Sequence, residues 1–543
     1  MILKNSFNYI NQFFFFFTNK TRNFYLNSII YNNKISKTEN KSLEYKPSPG
    51  LTDCIIKYKK KKNKIEDFSL QSIWINKNIK KKDYEKLHNF FWLFTLDLKS
   101  SKNITQSIIL NWINSNSKYN IKNWEIDVLS KRIIAWISNS KLTYEESNED
   151  YKKKFNNIIQ KQTNHLINEI ERSENLDDKV LGCSAVILVG LSYQNKLKYL
   201  EFGLNFLKKV TKYSLDSEGF PKSRSIRQLI FYYKYFILIR EWLKESQNDI
   251  PEYIDETIYN LGNAYSLLSQ GLKQSALFNG NHDTNSEDFD NYLLKFGYKF
   301  KNENQEIGGY SIQKNKKIAL VMDIGQSPEK KFSKDYQLGA LSFEIISNQN
   351  KIICNSGYFQ NHKHKLNKIS KSSVAHSTLI LNNKSISTFK KKNGINVLEN
   401  GIKSITKNIV FEKNLWSIKS SHNGYLKEFG TIHERTLKFF PESEKFLGKD
   451  KLIKKKNFRP TSFEIRFHLM PNSKVTKTQD NQTVLIELEN SGWKFYTNDG
   501  LIDIETGLYF GKKNRYSENQ NIFISGNTQN EDQLIEWEIS KIK

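Results

Sequence analysis

The hydrophobic period of this chain changes once, and that change limits what it can fold into. Up to about residue 300 the apolar residues recur at helical spacing, and from Gly308-Gly309 onward they alternate. Leu87, Phe91, Phe94 and Leu98 suit one face of a helix, as do Ile104, Ile108 and Trp112, then Val128, Leu129, Arg132, Ile133, Trp136 and Ile137. Further amphipathic stretches at about 155–170, 180–193, 196–210, 226–243 and 253–269 are joined by short polar connections. Such a series predicts antiparallel helix pairs in a bundle, a solenoid or an α/α toroid. No fixed-period repeat is visible, which counts against the consensus helical-repeat families.

Beyond the glycine pair, Ile318, Leu320 and Met322 alternate with other residues, as do Leu341, Phe343 and Ile345, and Phe463, Ile465, Phe467 and Leu469. Runs at 484–488, 493–496, 522–524 and 535–539 continue the pattern between Asn, Gly and Lys turns, and predict an antiparallel sandwich. The expectation is a multidomain α+β protein. Residues 1–80 form an irregular basic lead-in punctuated by Pro47-Ser48-Pro49-Gly50, residues 81–300 a helical domain and residues 301–543 a β domain.

Lysine and arginine outnumber aspartate and glutamate 84 to 57, a net charge of +27. An excess of this size ordinarily points to a polyanionic partner. Here Lys, Asn and Ile are used heavily even in loop-like runs such as Lys59–Lys64, so charge alone is a weak basis for a nucleic-acid reading. Cys54, Cys183 and Cys354 lack metal-ligand or disulfide spacing and read as small buried hydrophobes. Phe13–Phe17 is too short to span a membrane, so no membrane insertion is expected; no small-residue cleavage site follows it, and export is not demonstrated.

No phosphate loop, HExxH helix or GxSxG elbow is present. The polar residues of interest lie on β-patterned segments. In Ser373–Leu381 the alternation puts Val374, His376, Thr378 and Ile380 on one strand face, an unusual place for an imidazole. Ser421–Tyr425 carries His422 and Tyr425, His433-Glu434-Arg435 follows, and Arg466-Phe467-His468 turns its two polar residues away from the apolar face. Together these offer general acid, general base and carboxylate-neutralising groups. Arg224 and Arg227, with Ser223 and Ser225, enter a helix and are placed to hold a carboxylate or sulfate, although capping by the serines is the plainer reading. His362 and His364 have metal-pair spacing, but their lysine-rich loop predicts solvated histidines.

In order along the chain, Gly339–Glu344, Cys354–Tyr358, Ala375–Leu379, Ser421–Tyr425, His433–Arg435 and Arg466–Pro471 resemble the C-terminal domain of heparinase II/III-like proteins. Leu87–Leu93, Trp124–Trp136 with Arg132, the Arg224 segment and Ala276–Gly280 resemble the helical half of the same family. The resemblance implies an incomplete α/α toroid followed by an antiparallel β-sandwich. It also implies polysaccharide lyase chemistry, the β-elimination of a uronate-containing glycan, in a periplasmic or cell-envelope setting. The expected proton-transfer residues are His376 and Tyr425, supported by His422, His433 and Arg435. Arg224, Arg227, Gln337, Asn279, Arg132 and His468 are expected to bind an acidic polysaccharide or oligosaccharide.

The chain departs from the lyase pattern at Gln337, where a histidine is usual, and near Arg227-Gln228, where a tyrosine is usual and Tyr232 and Tyr233 stand one turn on. Those departures also support a glycan-binding protein without elimination. Some members hold zinc at positions that here read Gln337, Asn355 and His376; two amides make a poor zinc site, so no metal and no cofactor is expected.

Overall fold

The computed structural model describes residues 18–56, 80–96, 102–270, 272, 274–283, 286–392, 395–512 and 515–542. Phe13–Phe17 and the Lys59–Lys64 run lie outside them. Two compact units emerge: residues 1–214 with 231–259, and residues 215–230 with 260–543. The segments 215–230 and 260–300, grouped with the helices in the sequence reading, cluster with the strands instead.

The first unit is helical, with Lys102–Asn116, Ile126–Ser138, Glu149–Glu169, Leu176–Ser192 and Glu201–Ser214 falling close to the expected stretches. Asn148 and Asn175 start two of them by accepting the Tyr151 and Asp177 amides. Leu176–Ser192 is buried continuously from Val180 to Ser192, as its apolar run around the whole helix requires. A Cβ at Gly190 would stand 2.5 Å from the Leu200 backbone nitrogen, so only glycine admits the π-helical turn Lys196–Leu200. Trp112 and Trp136 meet edge to face at 5.5 Å and are fully buried. Burial of each such side chain stabilises the fold by about 1.5–3 kcal/mol.

The lead-in is more ordered than expected, with helices at Ile29–Ile35 and Pro49–Ile56. Tyr31 and Ile35 are fully buried, and the Tyr31 hydroxyl lies 2.7 Å from His165 Nδ1 on helix Glu149–Glu169. These anchors hold a segment whose composition alone reads as irregular.

The second unit is built from antiparallel sheets. Strands Glu306–Ile307, Tyr310–Lys314, Ile318–Asp323, Phe343–Ser347 and Asn350–Ile353 form a five-stranded meander. An eight-stranded sheet runs, in spatial order, Lys474–Lys477, Thr483–Leu488, Ser491–Tyr496, Gln533–Lys541, Lys445–Lys454, Thr431–Phe440, Trp416–His422 and Ser404–Phe411. A four-stranded sheet orders Leu501–Tyr509, Ser517–Asn527, Ser462–His468 and Leu379–Leu381, and Phe389–Lys392 pairs with Ile395–Leu398. One apolar cluster joins the three large sheets: Trp537 stacks on Phe343 at 5.4 Å and meets Phe467 at 4.8 Å. Ser462–His468 buries alternate residues, as its pattern predicts.

The His376 segment differs from its pattern. Ser373–Ala375 is a 3-10 turn and the strand begins only at Leu379. Ser373 Oγ donates to the Leu338 carbonyl at 2.7 Å and Ser377 Oγ to the Cys354 carbonyl at 2.6 Å, and these side-chain bonds to backbone displace the ladder that alternation implies.

Candidate functional site

One stretch, residues 335–342, meets Tyr358, Gly280, His376 and Arg435 in turn. At its start is Asp335, which accepts from the Tyr358 hydroxyl at 2.9 Å and pairs with Arg227 at 3.4 Å and His362 Nε2 at 3.6 Å. Tyr358 is buried, Arg227 and Asp335 are partly exposed, and the His362 side chain is 40% exposed. Burial opposes the Asp335 charge, but Arg227, Lys334, His362 and Lys371 together hold its pKa down to about 2. Burial lowers the His362 pKa against the pull of Asp335, leaving the imidazole neutral near pH 7 and able to accept a proton. Burial, and then Asp335, push the Tyr358 phenol well up, so it stays a donor. Burial brings Lys371 to about 8. The result is one carboxylate among several cations, with an imidazole at its edge.

Two residues on lies Gln337, whose amide is fully engaged. Its Oε1 accepts from Gly280 N at 3.0 Å, while Nε2 donates to the Gly357 carbonyl at 3.0 Å and to that of Ser370. Its backbone N–H donates to Asn279 Oδ1 at 3.0 Å, and Asn279 also bonds the Tyr310 hydroxyl. Gln337 and Asn279 therefore shape the wall beside Asp335; they do not offer groups to a ligand.

Gly339 faces His376: a Cβ there would stand 2.7 Å from the His376 Cγ. His376 is 1% exposed, neither ring nitrogen has a protein hydrogen-bond partner, and burial with neighbouring His468 lowers its pKa to about 3. His468 is fixed between Ser356 Oγ at 3.1 Å and the Val374 carbonyl at 3.0 Å, and burial lowers it likewise to about 3. The strand expected to carry His376 on one face begins only at Leu379, after the turn Ser373–Ala375, and the ring lies against Gly339.

Further along, the Leu341 carbonyl accepts from Arg435 at 2.9 Å. Arg435 also grips Asp450 at 2.7 and 3.0 Å and the Ser377 carbonyl at 2.7 Å, and Trp537 Nε1 donates to the same carboxylate at 2.8 Å. His433 Nε2 lies 2.7 Å from Asp450 and its Nδ1 lies 3.4 Å from His422 Nε2. Since His422 Nδ1 accepts from Gly424 N at 3.0 Å, the neutral tautomers are set: His422 donates to His433 and His433 donates to Asp450. Tyr425 donates to the Leu379 and Lys384 carbonyls at 3.1 and 3.3 Å. All five residues are at most about 2% exposed. His422, Tyr425, His433 and Arg435 thus form a sealed support inside the sandwich, each bonded to groups within it.

Arg224 is likewise structural. Its guanidinium donates to the carbonyls of Gly308, Gly309 and Gln326 at 2.9, 2.9 and 3.1 Å and to the Asp323 carboxylate at 2.7 Å. Ser225 Oγ accepts the Gln228 backbone amide as a cap, while Ser223 Oγ donates to Gln228 Oε1 and accepts the Ser225 amide. Arg132 belongs to the helical unit, fully buried, bonded to the His88 and Asn123 carbonyls at 2.9 and 3.0 Å and 4.2 Å over the Trp112 ring. Burial lowers its pKa to about 9, and it offers nothing to solvent. Tyr232 and Tyr233 are buried in the same unit.

Arg224, Asn279 and Leu341 all hold positive φ, at 60°, 39° and 60°. Left-handed backbone at three non-glycine residues of one neighbourhood is a strain that surrounding contacts must sustain, and such strain concentrates at functional sites.

The positions aligned with a zinc site do not fit one. The Gln337 amide bonds backbone on both sides, and Asn355 Oδ1 accepts the Ser377 amide at 3.0 Å. Among the described residues no group of three or more His, Cys, Asp or Glu side chains is arranged to hold a metal.

Residues 304–538 match the family described as heparinase II/III-like, C-terminal. This region is a heparinase II/III-like domain. The fold of the chain is similar to solved structures of heparan sulfate lyase HepC from Pedobacter heparinus (TM-score 0.62, 14% identity, 87% of this chain and 78% of that one). It is also similar to heparinase III (TM-score 0.68, 15% identity, 93% and 87%). Both likenesses are of fold: a helical N-terminal region and a C-terminal antiparallel β domain. A search of curated protein sequences finds no significant match.

Sequence reading singled out Arg227, Gln337 and Asn279, took Tyr358 only as the end of the Cys354–Tyr358 motif, passed over Asp335 and read His362 as solvated. Asp335 stands two positions before Gln337, so the residues flanking that position are the signal that leads to it, while Tyr358 already closes the Cys354–Tyr358 motif.

Proposed function

We propose that the heparinase II/III-like chain is a polysaccharide lyase cleaving an anionic, uronate-containing glycan by β-elimination. The observation that carries this reading is the Asp335 cluster, where Arg227, Lys334, Lys371 and His362 surround one carboxylate beside partly exposed surface. The names of the similar structures, heparan sulfate lyase and heparinase III, favour a glycosaminoglycan. A periplasmic or envelope setting accords with such a substrate.

Elimination requires the uronate carboxylate to be neutralised, the C5 proton removed and the O4 leaving group protonated. Arg227, with Lys334 beside it, supplies the positive charge. His362, neutral at pH 7, takes the C5 proton; the C4–O4 bond breaks as the C4=C5 double bond forms, and the imidazolium returns the proton to O4. Asp335 orients the imidazole and stabilises its charged form, and Tyr358 holds Asp335. His376 is behind Gly339 and takes no part in proton transfer in this scheme.

The test is incubation with a panel of uronate glycans, following unsaturated-uronate absorbance. Turnover that disappears in His362→Ala and persists in His376→Ala is expected; the opposite pattern reverses the assignment. A second reading, glycan binding without elimination, is favoured by the sealed Tyr425 and His433 and by Gln337. Saturable binding of an acidic oligosaccharide with no product from any member of the panel would establish it over the first.

A further inference from the structure

The N-terminal segment of the helical unit carries apolar side chains toward water as well as toward the core. Its inner side is anchored to helix Glu149–Glu169 by Tyr31 with His165, by the Arg22–Glu169 ion pair and by Lys34 Nζ to Asn168 at 2.8 Å. Leu26, Tyr31 and Ile35 are buried there, and the Tyr25 and Tyr31 rings, 5.2 Å apart, fasten the turn between the two helical stretches. The outer side should then be polar. Instead Phe24, Ile29 and Ile30 are 82%, 79% and 74% exposed within seven residues. Single exposed apolar side chains are ordinary; three together on a tethered segment mark a contact surface.

Charge identifies the occupant. The first 38 residues contain Lys4, Lys20, Arg22, Lys34 and Lys37 and no aspartate or glutamate; Arg22 and Lys34 are engaged by Glu169 and Asn168, and Lys20 and Lys37 are exposed in the same segment as the apolar side chains. We propose that this face docks on the surface of an anionic lipid bilayer, with Phe24, Ile29 and Ile30 entering the headgroup region and the lysines meeting lipid phosphate. Apolar side chains flanked by cations are what such an interface binds. An anionic glycan would use the lysines and could stack on Phe24, but the exposed Ile29 and Ile30 suit an apolar phase. Among the described residues no helix is long and apolar enough to cross a membrane, and the contact proposed is a peripheral one. The surface involves none of the Asp335 cluster, and the proposal stands apart from the lyase reading.

Co-sedimentation of the full chain with vesicles tests it. Binding to phosphatidylglycerol vesicles, weak binding to phosphatidylcholine vesicles and loss of binding at high salt are expected. The triple variant Phe24→Ser, Ile29→Ser, Ile30→Ser should lower anionic-vesicle affinity by about tenfold or more, with circular dichroism and the thermal unfolding midpoint unchanged. Equal binding by wild type and variant, or no binding to either vesicle, overturns the proposal. So does a variant that changes the oligomeric state and leaves vesicle binding intact, since the patch would then join copies of the chain.

Discussion

At the scale of single residues, exposure separates two kinds of histidine. His376 has the more conspicuous sequence setting, yet it is enclosed, neutral and unbonded; His362 sits in an undistinguished loop and meets a carboxylate at the surface. Loss of a positioned base typically lowers rate by about 10²–10⁴-fold, so His362→Ala should lower kcat by that order while thermal unfolding stays near wild type. Asp335→Asn offers a finer measurement. The carboxylate raises the His362 pKa, so removing it lowers that pKa further. The basic form then survives to lower pH, and the acid limb of the pH-rate profile should move down; a limb that stays in place means another group is the base. Arg224→Ala belongs here too. It strands the buried Asp323 carboxylate and should cost about 3–5 kcal/mol in denaturant unfolding.

At the scale of elements, the stretch 335–342 converts sheet packing into site geometry. It continues from strand Ile318–Asp323 through the 3-10 turn Lys330–Phe332 and enters strand Phe343–Ser347, so both ends are held by the meander. Between them it meets Tyr358, Gly280, His376 and Arg435 in turn. Gly339→Ala would drive a Cβ against the His376 ring, an overpacking of about 1–3 kcal/mol. Combining it with His376→Ala should recover much of that loss, because the ring is what the methyl strikes. A double-mutant cycle in unfolding free energy measures the coupling, and strict additivity would show that the two residues do not press on each other.

At the scale of the molecule, histidines held neutral make the fold acid-labile. His88, His165, His376 and His468 are each lowered by burial to about 3, against an unfolded value of 6.5. Below pH 6.5 the unfolded chain binds protons that the folded chain refuses. Stability is therefore fully present above pH 6.5 and falls as pH drops toward 3, by up to about 1.4 kcal/mol per pH unit for each histidine. Urea titrations at stepped pH should show a midpoint declining from pH 6.5 downward, and a flat midpoint to pH 4.5 would contradict the burial of these rings. Carboxylates such as Asp335, with a pKa of about 2, add a later loss below their unfolded values.

Much of this architecture is legible without coordinates. Periodicity is a local property of the chain, and a helix or strand exposes the same face wherever it packs; hence helix Glu149–Glu169 and strand Ser462–His468 were foreseeable from spacing alone. The ordered motifs were enough to identify the C-terminal domain. Spacing failed at Ser373–Ala375, where serine side chains bonded to distant carbonyls outcompete a strand ladder. Nor does spacing show that Arg224, Arg435 and Tyr425 bond backbone carbonyls distant in sequence. Whether an arginine meets a ligand or the carbonyls of Gly308 and Gly309 depends on residues about 85 positions away. The sequence by itself determined the helical and β halves, the family of the second and a supply of cations; the tertiary structure alone decided which polar groups are satisfied internally and which, at Asp335, reach the surface, because burial and hydrogen-bond satisfaction are set by partners brought together only when the sheets pack.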